Sequence, residues 1–411
     1  MKENYIDRRK RLFDFMSEDS LTIMFSGDLI RQSADANYDF YVNNNFYYLT
    51  GIDREEVVYI CEKKNFTIKE SLFIKKKDPH QEKWIGKFLT AEEATGQSGI
   101  ETVLTKEAFE SYLIKVLSKH PYETLYLDLE NHSFHDAATP AQRFCKTFIE
   151  KYPGIRITSI YHFLCELRMV KDPFEIDQIK KAISITKRGI QNMSKYIVPD
   201  MPSYTAVAQF RCTLHTEGAQ TAFPTIAAAG INGTILHYVN NDNVMKSGDL
   251  VLFDLGARIN QYCADISRTF PISGVFSSRQ KEIYQIVLNA NKRVIEACKP
   301  GMTLNQLNEI AKETLAEGLI QLGLLVDLES LSDFYYHGVS HFLGLDVHDV
   351  GDRETPLKPG CVVTVEPGLY IEEESLGIRI EDDILITESG YINLSSEIPK
   401  EIAEVEALFQ S

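Results

Sequence analysis

The sequence predicts an α/β domain over residues 1–168, followed by an α+β domain over residues 169–411. In the second, a helix–helix–hairpin unit occurs twice around a curved antiparallel sheet. Three observations carry this expectation. Short β-branched and aromatic runs alternate with amphipathic helical stretches up to about residue 168. At Met169-Val170-Lys171 the character changes to long helices opened by capping signals. Two acid-bearing stretches, Lys246–Gly274 and Lys358–Gly390, then repeat one another in spacing.

In the first domain, Leu21–Ser26, Phe46–Thr50, Val57–Cys61, Phe66–Ile74 and Thr124–Leu129 read as strands. Thr105–Lys119 and Thr139–Lys151 read as helices. His80, His120, His132, His135 and His162 share no spacing and read as surface or packing residues. Trp84 is the one tryptophan and lies in the polar stretch Gln81-Glu82-Lys83-Trp84, where it reads equally as an interface residue or a partly buried anchor.

The second domain opens on Asp172-Pro173, an N-cap followed by proline in the first turn. Apolar residues at Ile176, Ile179, Ile183, Ile190, Met193 and Ile197 then define a long amphipathic helix, and a second helix follows from Ser203 to His215. Past Phe223-Pro224-Thr225-Ile226 and His237-Tyr238-Val239 comes the first acid-bearing stretch. The order then repeats. Ser278–Cys298 reads as a long helix, and Thr303 with Gln306 forms a capping box that opens a helix to about Leu322. A histidine-rich stretch, His337 to Asp349, leads into the second acid-bearing stretch, with His348-Asp349-Val350 where the first half has His237-Tyr238-Val239.

Each acid-bearing stretch has two strand-like runs about a polar turn, the pattern of a hairpin. Asp254 lies six positions after Gly248, as Glu366 does after Gly360. Asp265 lies nine before Gly274, as Glu381 does before Gly390. With Asp254 opposite Asp265 the first turn centres on Ile259-Asn260, and both carboxylates project from one face. Glu366 and Glu381 do the same in the second hairpin. Four carboxylates on one buried patch need compensation, because an uncompensated buried charge costs roughly several kcal/mol. Two divalent cations would supply it.

Four of the ten histidines, His237, His337, His341 and His348, flank these hairpins. His337 and His341 have the i, i+4 spacing of helical zinc ligands, but Gly338 and Gly344 argue against a helix there. In an extended strand the two would share a face. Four carboxylates with one imidazole make an oxygen-rich donor set, which suits Mn²⁺.

Composition excludes other classes. A net charge of −16 argues against nucleic-acid and anionic-membrane partners. No apolar run is long enough to span a bilayer, and the start, Met1-Lys2-Glu3-Asn4, lacks the apolar core of a signal peptide. Seven cysteines without a C-x-x-C pattern fit reduced thiols in the cytoplasm.

The runs Val251-Leu252-Phe253-Asp254-Leu255-Gly256, Ala264-Asp265-Ile266-Ser267-Arg268, His337 to Asp349, Thr364-Val365-Glu366-Pro367-Gly368 and Arg379-Ile380-Glu381-Asp382 resemble those of the Xaa-Pro aminopeptidases (aminopeptidase P). These are pita-bread metallopeptidases, together with prolidase, methionine aminopeptidase and creatinase. The resemblance implies that Asp254 chelates one Mn²⁺, that His341 and Glu366 chelate a second, and that Asp265 and Glu381 bridge both. It implies a hydroxide held between the two that attacks the carbonyl before proline, with Glu366 accepting the nucleophile's proton. His348 would polarise that carbonyl, and His237 would contact substrate near the leaving nitrogen. His337 would lie on the substrate side, and Arg379 would orient the bridging carboxylates. It further implies a homodimer or homotetramer in which a neighbouring subunit closes the pocket through Trp84. Asn45 departs from the acid that relatives often carry there, which touches on how a substrate's free amine is held. Prolidase, which cleaves only dipeptides, shares the five ligands and is the alternative. A non-enzymatic pita-bread binding module would have lost them.

Overall fold

A computed structural model describes residues 2–409. The chain divides into two compact units, Met1–Leu167 and Arg168–Ser411.

The first unit is built on one six-stranded mixed sheet, with strands in the spatial order Val103–Thr105, Thr67–Ile74, Val58–Lys64, Ser20–Phe25, Thr124–Leu127 and Arg156–Ser159. The Ser20–Phe25 strand runs antiparallel to Val58–Lys64 and parallel to Thr124–Leu127. Its side chains alternate, so Leu21 and Ile23 meet Leu113, Val116 and Phe148 of the helices Phe109–Lys119 and Pro140–Lys151. Residues 105–108, expected to open the first of these helices, instead complete a strand and a 3₁₀ turn.

Phe46–Thr50 is not a strand. It belongs to the helix Asn44–Thr50, whose N-cap Asn43 accepts a hydrogen bond from Phe46 N–H and whose C-cap Gly51 is left-handed. All seven residues of that helix are buried, polar Asn44, Asn45 and Thr50 included, so no exposed polar face gives it a helical period. Asn45 is buried within this unit and donates from Nδ2 to Asp128 Oδ2 at 3.0 Å.

The second unit pairs helices with antiparallel hairpins, the arrangement expected of a pita-bread fold. Helices Pro173–Met193 and Ser203–Thr216 back the first half, and Ser278–Ala297 and Leu304–Gln321 back the second. Asp172, Ser277 and Thr303 each close a capping box at a helix start. One polar side chain from each half's leading helix fixes its hairpin from behind. Thr186 Oγ1 accepts from Ala257 N–H at 2.9 Å, and Asn291 Nδ2 donates to the carbonyls of Val365 and Ile380.

The first hairpin pairs Leu250–Leu255 with Ile266–Pro271, and its register differs from the expected one. Asp254 stands opposite Ser267, not Asp265. The turn falls one residue later, on Asn260 and Gln261, both with positive φ, as a tight twisted turn demands. A slip of two in partner preserves facing, so Asp265 stays on the face of Asp254 as its diagonal neighbour. At the pinch of this hairpin a Cβ on Gly256 would collide with the Ala264 carbonyl, so glycine is required. In the second hairpin, Val365 lies opposite Asp382 and Gly368 opposite Arg379, a register that sets Glu366 across from Glu381 as expected.

Residues 339–343 lie along Val362–Val365, with Leu343 N–H donating to Val362 O, Thr364 N–H to His341 O and Glu366 N–H to Val339 O. This extended path, not a helix, carries His341.

Candidate metal centre

The register and the two helix-backed hairpins bring Asp254, Asp265, His341, Glu366 and Glu381 together. Ligand atoms of Asp254, Asp265 and Glu381 lie within 4.8 Å of one another, and so do those of His341, Glu366 and Glu381. His348 joins Asp265 and His341 in a third such group, its ring centroid 4.3 Å from that of His341. His341 Nε2 is 3.4 Å from Asp265 Oδ2 and 3.6 Å from Glu366 Oε1. His337 shares that face, with Nδ1 3.9 Å from Glu366 Oε2.

The hydrogen bonds around the cluster fix its protons. His341 Nδ1 lies 2.9 Å from the Phe342 carbonyl, which can only accept. The proton is therefore on Nδ1, and the Nε2 lone pair points at two carboxylates. Burial, with His348 beside it, lowers the His341 pKa to about 3, so the ring stays neutral. His337 is fixed the same way, its Nδ1–H on the Gly338 carbonyl and its Nε2 accepting from Tyr370 OH at 2.8 Å. Burial and then Arg379 lower its pKa to about 4.

The carboxylates are driven the opposite way. Burial, followed by the charge of Glu381, pushes Asp265 well above its ordinary pKa. Burial and Glu366 do the same to Glu381, and burial raises Glu366 to about 8. Within the described residues, Asp254 Oδ1 and Asp265 Oδ1 are buried without a hydrogen-bond partner. A lone pair aimed at anions, orphaned carboxylate oxygens and mutually repelling acids all fit divalent cations.

One cation already belongs to the cluster. Arg379 Nη2 donates to Asp254 Oδ2 at 2.7 Å, Nε to Ser267 Oγ at 2.8 Å and Nη1 to Tyr370 OH at 3.0 Å. Sequence reasoning gave Arg379 the two bridging carboxylates. Its direct partner is Asp254, and it reaches Glu381 only through Ser267, whose hydroxyl donates to Glu381 Oε2 at 2.7 Å.

Ser267 and Tyr370 went unrecognised in the sequence. Strand parity could have found both, since Ser267 lies two residues from Asp265 and Tyr370 four from Glu366.

A cavity of about 360 Å³ opens beside the acids. Asp254, Asp265, His237 and His348 line it with an apolar wall that includes Phe223, Pro224, Ile226, Val239 and Val347. His237 and His348 are both exposed to it. Trp84 lies on the short helix Glu82–Ile85 of the first unit and is 79% exposed.

The fold and the acid cluster define a hydrolytic metalloenzyme class, and comparison with known proteins agrees. The model of metallopeptidase family M24 matches residues 177–388, and that of the aminopeptidase P N-terminal domain matches residues 5–126. The chain belongs to metallopeptidase family M24, in its aminopeptidase P group. An Xaa-Pro aminopeptidase from Haemophilus influenzae is 35% identical over 99% of this chain and 97% of its own length. Zn-substituted Escherichia coli aminopeptidase P, solved in complex with product, aligns with a TM-score of 0.93 at 32% identity, covering 100% of this chain and 98% of that one. A Bacillus anthracis structure assigned as an aminopeptidase P reaches a TM-score of 0.98 at 48% identity, with the same coverage.

Proposed function

We infer that this chain is a metal-dependent aminopeptidase that removes the N-terminal residue from peptides with proline in the second position. The observation that carries this reading is the cluster of four carboxylates around a neutral imidazole, in a chain similar to Xaa-Pro aminopeptidases along its whole length.

Asp254 would hold one divalent cation, His341 and Glu366 a second, and Asp265 and Glu381 would be shared. The oxygen-rich donor set supports Mn²⁺ as the cation. When bound, such cations supply a water activated at neutral pH and stabilise negative charge developing on a carbonyl oxygen. Glu366, which lies beside His341 and His337 at the edge of the cluster, would take the proton of the attacking water. His348 is kept neutral chiefly by partial burial and can donate a hydrogen bond to the scissile carbonyl. His237, across the cavity, would meet the peptide near the leaving proline nitrogen. The apolar wall suits the proline ring, which offers no N–H once acylated.

Arg379 would orient Asp254 directly and Glu381 through Ser267, while His337 backs Glu366 on the substrate side. Trp84, being exposed, would meet a second copy of the chain in a homodimer or homotetramer and help to cover the pocket. The free cysteines among the described residues suit a reducing compartment such as the cytoplasm.

The test is a panel of Xaa-Pro dipeptides and Xaa-Pro-Xaa tripeptides, assayed with metal-depleted and Mn²⁺-restored protein. Cleavage of the tripeptides, with release of the free first residue, is expected only after restoration. Cleavage of dipeptides alone would assign a prolidase, and full activity after exhaustive depletion would remove the metal from the reading.

A further inference from the structure

The strand Ile226–Ala229 lends Ile226 to the cavity wall and pairs on one side only, with Leu250–Leu255. Its other edge presents backbone groups that burial would leave costly if unmade. Two side chains complete that edge. Asn241 Oδ1 accepts from Ala227 N–H at 2.7 Å, and its Nδ2 donates to Thr225 O at 2.7 Å. The next pair goes to Asn243: with its amide turned so that nitrogen faces the acceptor and oxygen the donor, the nitrogen donates to Ala227 O at 3.1 Å and the oxygen accepts from Ala229 N–H at 3.2 Å. A carboxamide carries the donor and acceptor of a peptide unit, so the two asparagines replace a missing strand.

The same two residues are held from the opposite side. Ser203, first residue of its helix, donates its hydroxyl to Asn241 O at 2.9 Å and its N–H to Asn243 O at 2.9 Å. Asn241 is buried and left-handed, with φ of 54°, a conformation that asparagine tolerates.

His237 lies four residues upstream on this strap. No hydrogen bond to its ring is present among the described residues, so its place at the cavity follows from its backbone. Leu236 and Tyr238 pack on Ile226, Ala228 and Leu252, and the asparagine pair fastens the far end. The second half solves the same problem differently. There the strap that carries His348 is closed by a backbone bridge, Asp349 N–H to Phe342 O at 2.8 Å.

We propose that Asn241 and Asn243 are positioning residues that latch the strap carrying His237 to the edge of Ile226–Ala229. The consequence for turnover rests on the role given to His237 above; the latch itself does not. The test uses the full-length, metal-loaded protein. Asn241→Gly removes the amide without straining the left-handed backbone. It should lower kcat/KM on an Xaa-Pro tripeptide by roughly tenfold, since small misplacements of a substrate contact carry costs of this order.

In a His237→Ala background the same change should cost less than about twofold, because a group acting through His237 has nothing left to position. Independently of turnover, amide hydrogen exchange over residues 235–241 should speed up by an order of magnitude or more, about the effect of losing local protection, with metal stoichiometry unchanged. Should Asn241→Gly fail to fold, Asn243→Ala carries the same comparison with one amide removed. Multiplicative losses in the double variant, or unaltered exchange over 235–241, would overturn the proposal. A wild-type protein that cleaves no Xaa-Pro peptide would overturn the functional reading instead, and the exchange result would still decide the latch.

Discussion

The two hairpins of the second unit carry their acids at matching positions, yet each is completed by residues of the other. In the first, Asp254 is neutralised by Arg379, which projects from the second. In the second, Glu381 is held by Ser267 of the first, through its hydroxyl to Oε2 and its carbonyl to the backbone N–H. Asp383 reciprocates, its carboxylate lying 3.3 Å from Asp265 N–H. The hairpins differ in what flanks the leading acid. Glu366 has two neutral imidazoles beside it, while Ile226–Ala229, the outer strand beside Asp254, offers only apolar side chains. Ala228 occupies the place there that His341 occupies in the second half. The repeat therefore accounts for Asp265 and Glu381 standing at matching places, and the differing neighbours of Asp254 and Glu366 for the two unlike ends. Neither hairpin alone makes a site.

The largest break in this comparison should come from a shared acid. Asp265→Ala or Glu381→Ala should lower turnover by about three orders of magnitude, the scale expected when metal-assisted activation is lost. Calorimetric titration should then find fewer than two cations bound per chain. Asp254→Ala should spare the end that carries His341 and Glu366, which keeps one cation. Loss of both there would deny that the ends are distinct.

Arg379→Ala comes next. It frees Asp254 and removes a buried cation, and metal affinity should fall by about 10–100-fold, as when a ligand's orienting partner is lost. The measure is competition with a metal-responsive dye.

The pH dependence of the metal-free protein follows from the raised carboxylates. In the folded chain Glu366, Asp265 and Glu381 hold protons that the unfolded chain has already released. Their contribution to stability is thus fully present below the ordinary carboxylate pKa, and is lost as pH rises through the folded value, about 8 for Glu366. The melting temperature of the metal-free protein should fall across this window, and added cation should remove most of the slope. A flat profile would mean that the acids do not burden one another.

The smallest effect is expected of Ser267→Ala, which removes one neutral link between the hairpins. A buried hydrogen bond of this kind contributes about 1 kcal/mol, so turnover and metal affinity should each fall by roughly severalfold. A loss as large as that of Arg379→Ala would assign Ser267 a greater part.

Much of this was legible before any coordinates. The repeat of Asp254 and Asp265 in Glu366 and Glu381 pointed to a shared acid site, because spacing along a strand translates directly into facing. Caps at Asp172 and Thr303 are local chemistry and read equally well. What stayed hidden was set by tertiary contact. The helix Asn44–Thr50 is buried on every side and lacks the period that would betray it. The register of the first hairpin depended on which two residues took positive φ, and Asn260 could serve either turn. Arg379 could be placed on the right face, but its choice of Asp254 depends on how the hairpins cross. The asparagine latch was invisible because side-chain amides that imitate a strand leave no strand pattern.

The account rests on two cations being what makes the crossed hairpins tolerable and active. Stepwise addition of Mn²⁺ to metal-depleted protein, with bound metal and tripeptide cleavage followed in the same titration, tests this most directly. Two cations per chain are predicted, with cleavage absent before the first and complete by the second. Cleavage at full rate with no metal bound, or saturation of the site without any gain in cleavage, would contradict it.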